Sequence, residues 1–169
     1  MGDNSTGVVN GPIMQIGCVV EDLAEAERTY AESFGVKKWA RFTGVAFTPD
    51  RTTYRGEPAD CVIDVSLGYS GAQQIELIRP VSGASIYTEY LDLSGPGVHH
   101  LAWAVDDLDA ALAEARSRGL EVVQQGAMDG MAFAYLETPG MGTHFVELMR
   151  LSPAMRDTFA AMQAAAAEG

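Results

Sequence analysis

Two stretches of this chain carry the same pattern: Gln15-Ile16-Gly17-Cys18-Val19-Val20-Glu21-Asp22-Leu23 and His100-Leu101-Ala102-Trp103-Ala104-Val105-Asp106-Asp107-Leu108. They lie 85 residues apart, their apolar positions coincide, and both close on an acidic residue, Asp and Leu. Each reads as a short strand feeding a helix. After the first, Ala24, Ala26 and Tyr30 lie among charged residues. After the second, Leu108, Ala111, Leu112 and Ala115 form an i, i+3, i+4, i+7 stripe. Asp22 and Asp107 sit where N-caps belong, with carboxylates able to accept from the free N–H groups of a first helical turn. Gly35 and Gly119 suit the left-handed position that ends a helix.

A second echo follows. Gly71, Glu76, Leu77 and Arg79 match Gly142, Glu147, Leu148 and Arg150, each 71 residues on. Both segments read as a turn and a strand: Gly68–Gly71 before Gln73–Pro80, and Pro139–Gly142 before Thr143–Leu151. Trp39–Phe47 and Cys61–Leu67 in the first copy, and Glu121–Gln125 and Met131–Glu137 in the second, supply two further strands each. The expected fold is therefore α+β, two tandem βαβββ modules in one curved mixed sheet. The divisions are a tail (1–11), a first module (12–80), a linker with a short helix near Ile86–Leu93 (81–96), a second module (97–151) and a C-terminal helix (152–169). That last helix bears an apolar stripe of Met155, Phe159 and Met162. It packs on the body or on a partner subunit, and a homodimer is expected.

Strand alternation sorts the side chains. In the opening strands, Ile16, Cys18 and Val20, with Leu101, Trp103 and Val105, are bulky and face the helices. Gln15, Gly17 and Val19, with His100, Ala102 and Ala104, are mostly small and read as a cavity wall. In the closing strands, Glu76 shares a face with Gln74 and Ile78, and Glu147 with Phe145 and Met149. A carboxylate among apolar neighbours is costly to bury without compensation. Halves related by a pseudo-two-fold axis bring Gln15, Glu76, His100 and Glu147 together. Three oxygen donors and an imidazole suit zinc, nickel, cobalt or manganese, with positions left open for substrate. His99 and His144 alternate away from His100 and Glu147 and read as supporting groups.

Composition bounds the partners. The 169 residues carry a net charge of −12; 47% are apolar and 20% charged, and these two fractions are globular values. So negative a field disfavours nucleic acid and anionic membranes, leaving a small-molecule substrate. Cys18 and Cys61 lie in apolar runs, as reduced buried thiols of a cytoplasmic protein would. No run reaches the ~18 apolar residues of a membrane span, and Met1–Thr6 lacks the basic and apolar parts of a signal peptide. Its literal myristoylation and Asn-Ser-Thr patterns are short enough to arise by chance.

Gln74-Ile75-Glu76-Leu77-Ile78-Arg79-Pro80, Gly97-Val98-His99-His100-Leu101-Ala102-Trp103-Ala104-Val105-Asp106-Asp107-Leu108 and Phe145-Val146-Glu147-Leu148 together resemble the vicinal oxygen chelate superfamily. It includes glyoxalase I, methylmalonyl-CoA epimerase, extradiol dioxygenases, fosfomycin-resistance enzymes and bleomycin-binding proteins. The resemblance spans roughly residues 12–150. It implies one divalent metal held by Gln15, Glu76, His100 and Glu147, with Glu147 as catalytic base and Glu76 or Glu57 as a second acid/base. The run around Glu76 and His99-His100 is most similar to methylmalonyl-CoA epimerase, although epimerases usually carry His where this chain has Gln15. The set Gln, Glu, His, Glu resembles some glyoxalase I enzymes. Iron(II) dioxygenases use two histidines and a carboxylate, and Gln15 replaces one of those histidines.

The implied reaction is proton abstraction next to a carbonyl by an isomerase or epimerase, on an acyl-CoA or a thiol adduct. The alternatives are a lyase of the same superfamily and a metal-free binding protein. For substrate, Arg41, Arg51 and Arg55, with Lys37-Lys38, could meet phosphates at the mouth. Tyr54, Tyr69, Phe133 and Tyr135 could line a pocket.

Overall fold

The computed structural model describes residues 7–168; the motifs within Met1–Thr6 lie outside them. The first module runs β1 (Gln15–Val19), α1 (Leu23–Phe34), β2 (Trp39–Phe47), β3 (Thr52–Tyr54), β4 (Glu57–Pro58), β5 (Cys61–Ser70) and β6 (Gln73–Ser82). Helix α2 (Ile86–Ser94) leads to β7 (Gly97–Ala104), α3 (Leu108–Ser117), β8 (Glu121–Met128), β9 (Met131–Glu137), β10 (Phe145–Leu151) and α4 (Pro153–Ala167). One curled, mixed sheet joins them in the order β2-β5-β6-β1-β7-β10-β9-β8-β3-β4. The architecture is the expected pair of βαβββ modules with a C-terminal helix.

The helix boundaries follow from side chains. Asp22 accepts from Glu25 N–H at 3.0 Å and Asp107 from Ala110 N–H at 2.9 Å, satisfying donors that a first turn leaves free. Gly35 closes α1 at φ 76°. Helix α1 covers Cys18, Ile75 and Leu77 on the convex face, and α3 covers Ala134, Leu136 and Leu148 there. The concave face carries Val19, Phe47, Ile63, Phe133 and Met149, with Tyr87 of α2 and the Met155–Phe159–Met162 stripe of α4 packed against them.

At the sheet centre, β1 and β7 run antiparallel, while β6 and β10 flank them in parallel. This arrangement places the two modules' closing strands symmetrically about the middle.

Three details depart from expectation. The turn before β6 is Gly71-Ala72, with β5 continuing to Ser70. Gly68 stays in that strand, paired with Trp39 and Ile75, and the Trp39 ring lies over it where a Cβ would press at 2.8 Å. The β3–β4 hairpin has no counterpart in the second module. It crosses over to extend the sheet beyond β8, pairing Thr52 with Gly126 and Tyr54 with Gln124. Its turn puts Arg55 at φ 48°, a conformation more usual for Asn or Gly. The Arg55 guanidinium is gripped there by Glu89 of α2, at 2.9 and 2.6 Å.

The third departure is His99. In the β1–β7 ladder Gly17 faces His100 and Cys18 faces Val98, so His99 is an inserted bulge residue. The bulge resets the alternation and turns His99 inward beside His100, rather than to the opposite face.

Candidate metal centre and cavity

Four polar side chains meet at the middle of the concave face. His100 Nε2 lies 3.1 Å from Gln15 Oε1, 3.3 Å from Glu76 Oε2 and 3.2 Å from Glu147 Oε2. The strands explain the convergence. Gln15 and His100 stand on adjacent central strands, and Glu76 and Glu147 lie on the parallel strands outside them. Gly17 makes the approach possible, since a Cβ there would overlap the His100 ring.

The surroundings fix each donor. Gln15 Nε2 donates to Gln74 Oε1 at 2.7 Å, and Gln74 Nε2 donates to Tyr69 at 2.7 Å, so the amide oxygen of Gln15 is presented to the cluster. Turned over, the amide would instead offer its nitrogen to Glu76 at 3.2 Å and Glu147 at 3.3 Å. The first orientation gathers acceptors around one point and is the one a cation favours.

Tyr87 donates to Tyr135 at 2.9 Å, and Tyr135 in turn reaches Glu147. His100 Nδ1 is 2.9 Å from His99 Nδ1. His99 sits in a cage that includes Tyr87, Tyr90 and Phe145. His144 is exposed and stacks edge-on against Tyr90.

Burial disfavours charge on Glu147 and on the two histidines. It pushes the Glu147 carboxyl up, a shift that contact with His100 partly offsets. Burial alone would lower His100, but the carboxylates of Glu147 and Glu76 lift the imidazole to about 9. His99, buried beside His100, is held well below its ordinary value and stays neutral.

The donor set fits a divalent cation. Two carboxylates and a neutral imidazole carry −2 in a site where Glu147 and His100 have lost water. Ligand atoms on a tetrahedral centre with bonds of about 2.0–2.1 Å stand roughly 3.3–3.4 Å apart, close to the 3.1–3.3 Å from His100 Nε2 to the three oxygens. Glu76, His100 and Glu147 form the cluster with mutual metal-ligand spacing among the described residues, and the Gln15 oxygen completes a fourth position.

Gln15, Glu76 and Glu147 of the cluster line a cavity of about 260 Å³. Phe133 and Tyr135 line it. Arg41, Arg55 and Tyr54 do not. Arg41 is held by Glu27 at 3.1 and 2.6 Å, while Arg55 and Tyr54 both engage Glu89. Arg41 and Arg55, expected at the mouth, thus meet acidic partners from other elements. Glu57 is exposed in β4 and is not among the lining residues. Reasoning from sequence missed Gln74, Tyr87 and the wall formed by α4. Gln74 was legible by alternation with Glu76; Tyr87 lay in the linker, where no period marked it.

Relatives share this architecture. A model of the Glyoxalase/Bleomycin resistance protein/Dioxygenase superfamily matches residues 14–135. No curated protein matches the chain. Among solved structures, methylmalonyl-CoA epimerase from Mycobacterium tuberculosis is 25% identical, with a TM-score of 0.62 over 90% of this chain and 95% of that one. A hypothetical protein from Bacillus halodurans C-125 is 20% identical, with a TM-score of 0.61 over 82% and 93%. A methylmalonyl-CoA epimerase in complex with methylmalonyl-CoA and NH4+ is 23% identical, with a TM-score of 0.54 over 85% and 95%. The chain belongs to the Glyoxalase/Bleomycin resistance protein/Dioxygenase superfamily, the vicinal oxygen chelate fold.

Proposed function

We propose that the chain is a metal-dependent isomerase or epimerase that removes a proton from carbon next to a carbonyl and returns it. The observation that carries this reading is the convergence of Gln15, Glu76, His100 and Glu147, three of which line an otherwise apolar cavity. A divalent cation held by these four would supply the positive charge that lowers the cost of an oxyanion developing on the substrate.

Glu147 takes the role of base. Its burial raises its proton affinity towards the range useful for general-base work, and Tyr135 fixes its orientation. Glu76 approaches His100 from the other module. A carbon held between two carboxylates on pseudo-symmetric strands has an acid/base on each face, as inversion or proton relocation requires. Tyr87 and the aromatic wall exclude water, which keeps the carbanion from uncontrolled reprotonation. A metal-free binding protein would have no use for two carboxylates beside a buried imidazole, and the geometry favours it less.

The test pairs metal content with solvent deuterium exchange into carbonyl compounds, including CoA thioesters, hemithioacetals and cyclic ketones. We expect one divalent ion per chain and exchange into at least one class. Glu147→Gln should lower exchange by about 100-fold or more. No bound metal, or exchange unchanged in Glu147→Gln, would overturn the proposal.

A further inference from the structure

The lining of the cavity divides into two chemically distinct groups. Its polar side chains are Gln15, Glu76, Glu147, Tyr87, Tyr135 and Thr158. The first five belong to the donor cluster and its hydrogen bonds, and the Thr158 hydroxyl donates to Ala154 of its own helix at 2.9 Å. Everything beyond the cluster is apolar, with Phe42, Phe47, Ile63 and Phe133 on the sheet side and Phe159 and Met162 on α4.

Among the described residues, no lysine or arginine lines it. Arg41, Arg55 and Arg79 are bound to Glu27, Glu89 and Asp64. Lys38 donates to the Ala165 carbonyl at 2.6 Å, fastening the last turn of α4 to the start of β2. The chain as a whole carries −12, a field that opposes a ligand bearing several phosphates.

Size and texture narrow the ligand further. A dry apolar cavity of about 150 Å³ accommodates benzene, so 260 Å³ admits a substituted ring or a small fused pair. Met128, Met131, Met149, Met155 and Met162 all line the space. Thioethers on unbranched stems fill irregular gaps and adapt to rings and branches.

We infer that the substrate is a compact, phosphate-free carbonyl compound whose apolar ring or branched skeleton fills the space between the sheet and α4. Its carbonyl end lies at the donor cluster and its hydrocarbon end against Phe159. This rests on the proposed chemistry for the carbonyl end, and departs from the nucleotide-bearing thioesters to which the epimerase likeness points. Helix α4 is thereby a specificity wall, built by the part of the chain that follows the second module.

Methyl-13C-methionine labelling of the metal-loaded full chain reads occupancy directly, without turnover. The probes are 2-tetralone, propionyl-CoA and free CoA, with the five cavity methyls assigned by single Met→Leu variants. We expect 2-tetralone to shift at least three of the five saturably, and neither CoA compound to shift any at equal concentration. Phe159→Ala should weaken 2-tetralone binding about five- to tenfold, while Phe159→Leu holds it within about twofold.

Three results would overturn the inference: tighter binding of propionyl-CoA than of 2-tetralone, unmoved cavity methyls, or a Phe159→Ala variant that binds 2-tetralone unchanged while retaining its helical circular dichroism. The proposed chemistry fails separately, through metal content and deuterium exchange. A chain that takes 2-tetralone but no metal sinks the one, and a metal enzyme that exchanges only thioesters sinks the other.

Discussion

The two modules put their donors at equivalent backbone positions and surround them differently. Gln15 and His100 correspond, as do Glu76 and Glu147. The neighbours diverge. Gln74, which orients Gln15, stands where the second module has Phe145, which packs on His99. Leu67 faces Glu76 across β5–β6, whereas Tyr135 faces Glu147 across β9–β10. Gly17 lies opposite His100, and its counterpart Ala102 lies opposite Gln15. A flat ring laid over the partner strand requires glycine; an amide leaves room for a methyl. Duplicated strands thus fix where the donors stand, and their unlike neighbours give one carboxylate a more buried, hydrogen-bonded setting than the other.

The sharpest way to break this comparison is Gly17→Ala. The added methyl overlaps the His100 ring, so it should destabilise the fold by about 1–3 kcal/mol and weaken metal binding at least about tenfold. The mirror change, Ala102→Gly, should cost about 1 kcal/mol or less and leave metal affinity intact. Thermal unfolding and chelator competition measure both, and equal behaviour of the two variants would refute the ring-over-glycine distinction.

The next effect separates the carboxylates. Tyr135→Phe removes the hydroxyl serving Glu147 and should slow deuterium exchange about tenfold with metal retained. Leu67→Met, beside Glu76, should leave exchange within about twofold.

The smallest effect belongs to the first module alone. Asp64 bonds Arg79 at 2.5 Å and accepts from Gly44 N–H at 2.8 Å. Arg79 and then that N–H hold its carboxyl below the usual range. A depressed carboxyl stabilises the fold above its unfolded value of about 3.9 and loses that contribution as pH falls through the folded value. Asp64→Asn should therefore cost up to about 1 kcal/mol at neutral pH. The gap to wild type should close in denaturant melts taken in acid; a gap constant down to pH 2 contradicts this.

The fold was legible because its signals are periodic. Strand alternation, the two Asp caps and the matching glutamates each recur, and recurrence identifies the modules and the four donors. Short, non-repeating pieces escaped. Two- and three-residue strands such as Glu57–Pro58 and Thr52–Tyr54 have no measurable period, and the strand that anchors Thr52–Tyr54 lies in the other module. The bulge at His99 is a property of pairing, not of composition. Arg41 and Arg55 looked available because an ion pair with a distant glutamate leaves no trace near either residue. The stripe on α4 announced a covered face without saying that a cavity lies beneath it.

The central β1–β7 ladder has a consequence for how the molecule comes into being. The donors at positions 15, 76, 100 and 147 are near neighbours only after the first module's opening strand has docked on the second's. Such non-local pairing is slow to assemble, and no fragment lacking either module holds a complete set. A cation gripped by all four would thus recognise the finished chain alone. By mass action it would withdraw completed molecules from the unfolding equilibrium, and so would act as a check on assembly.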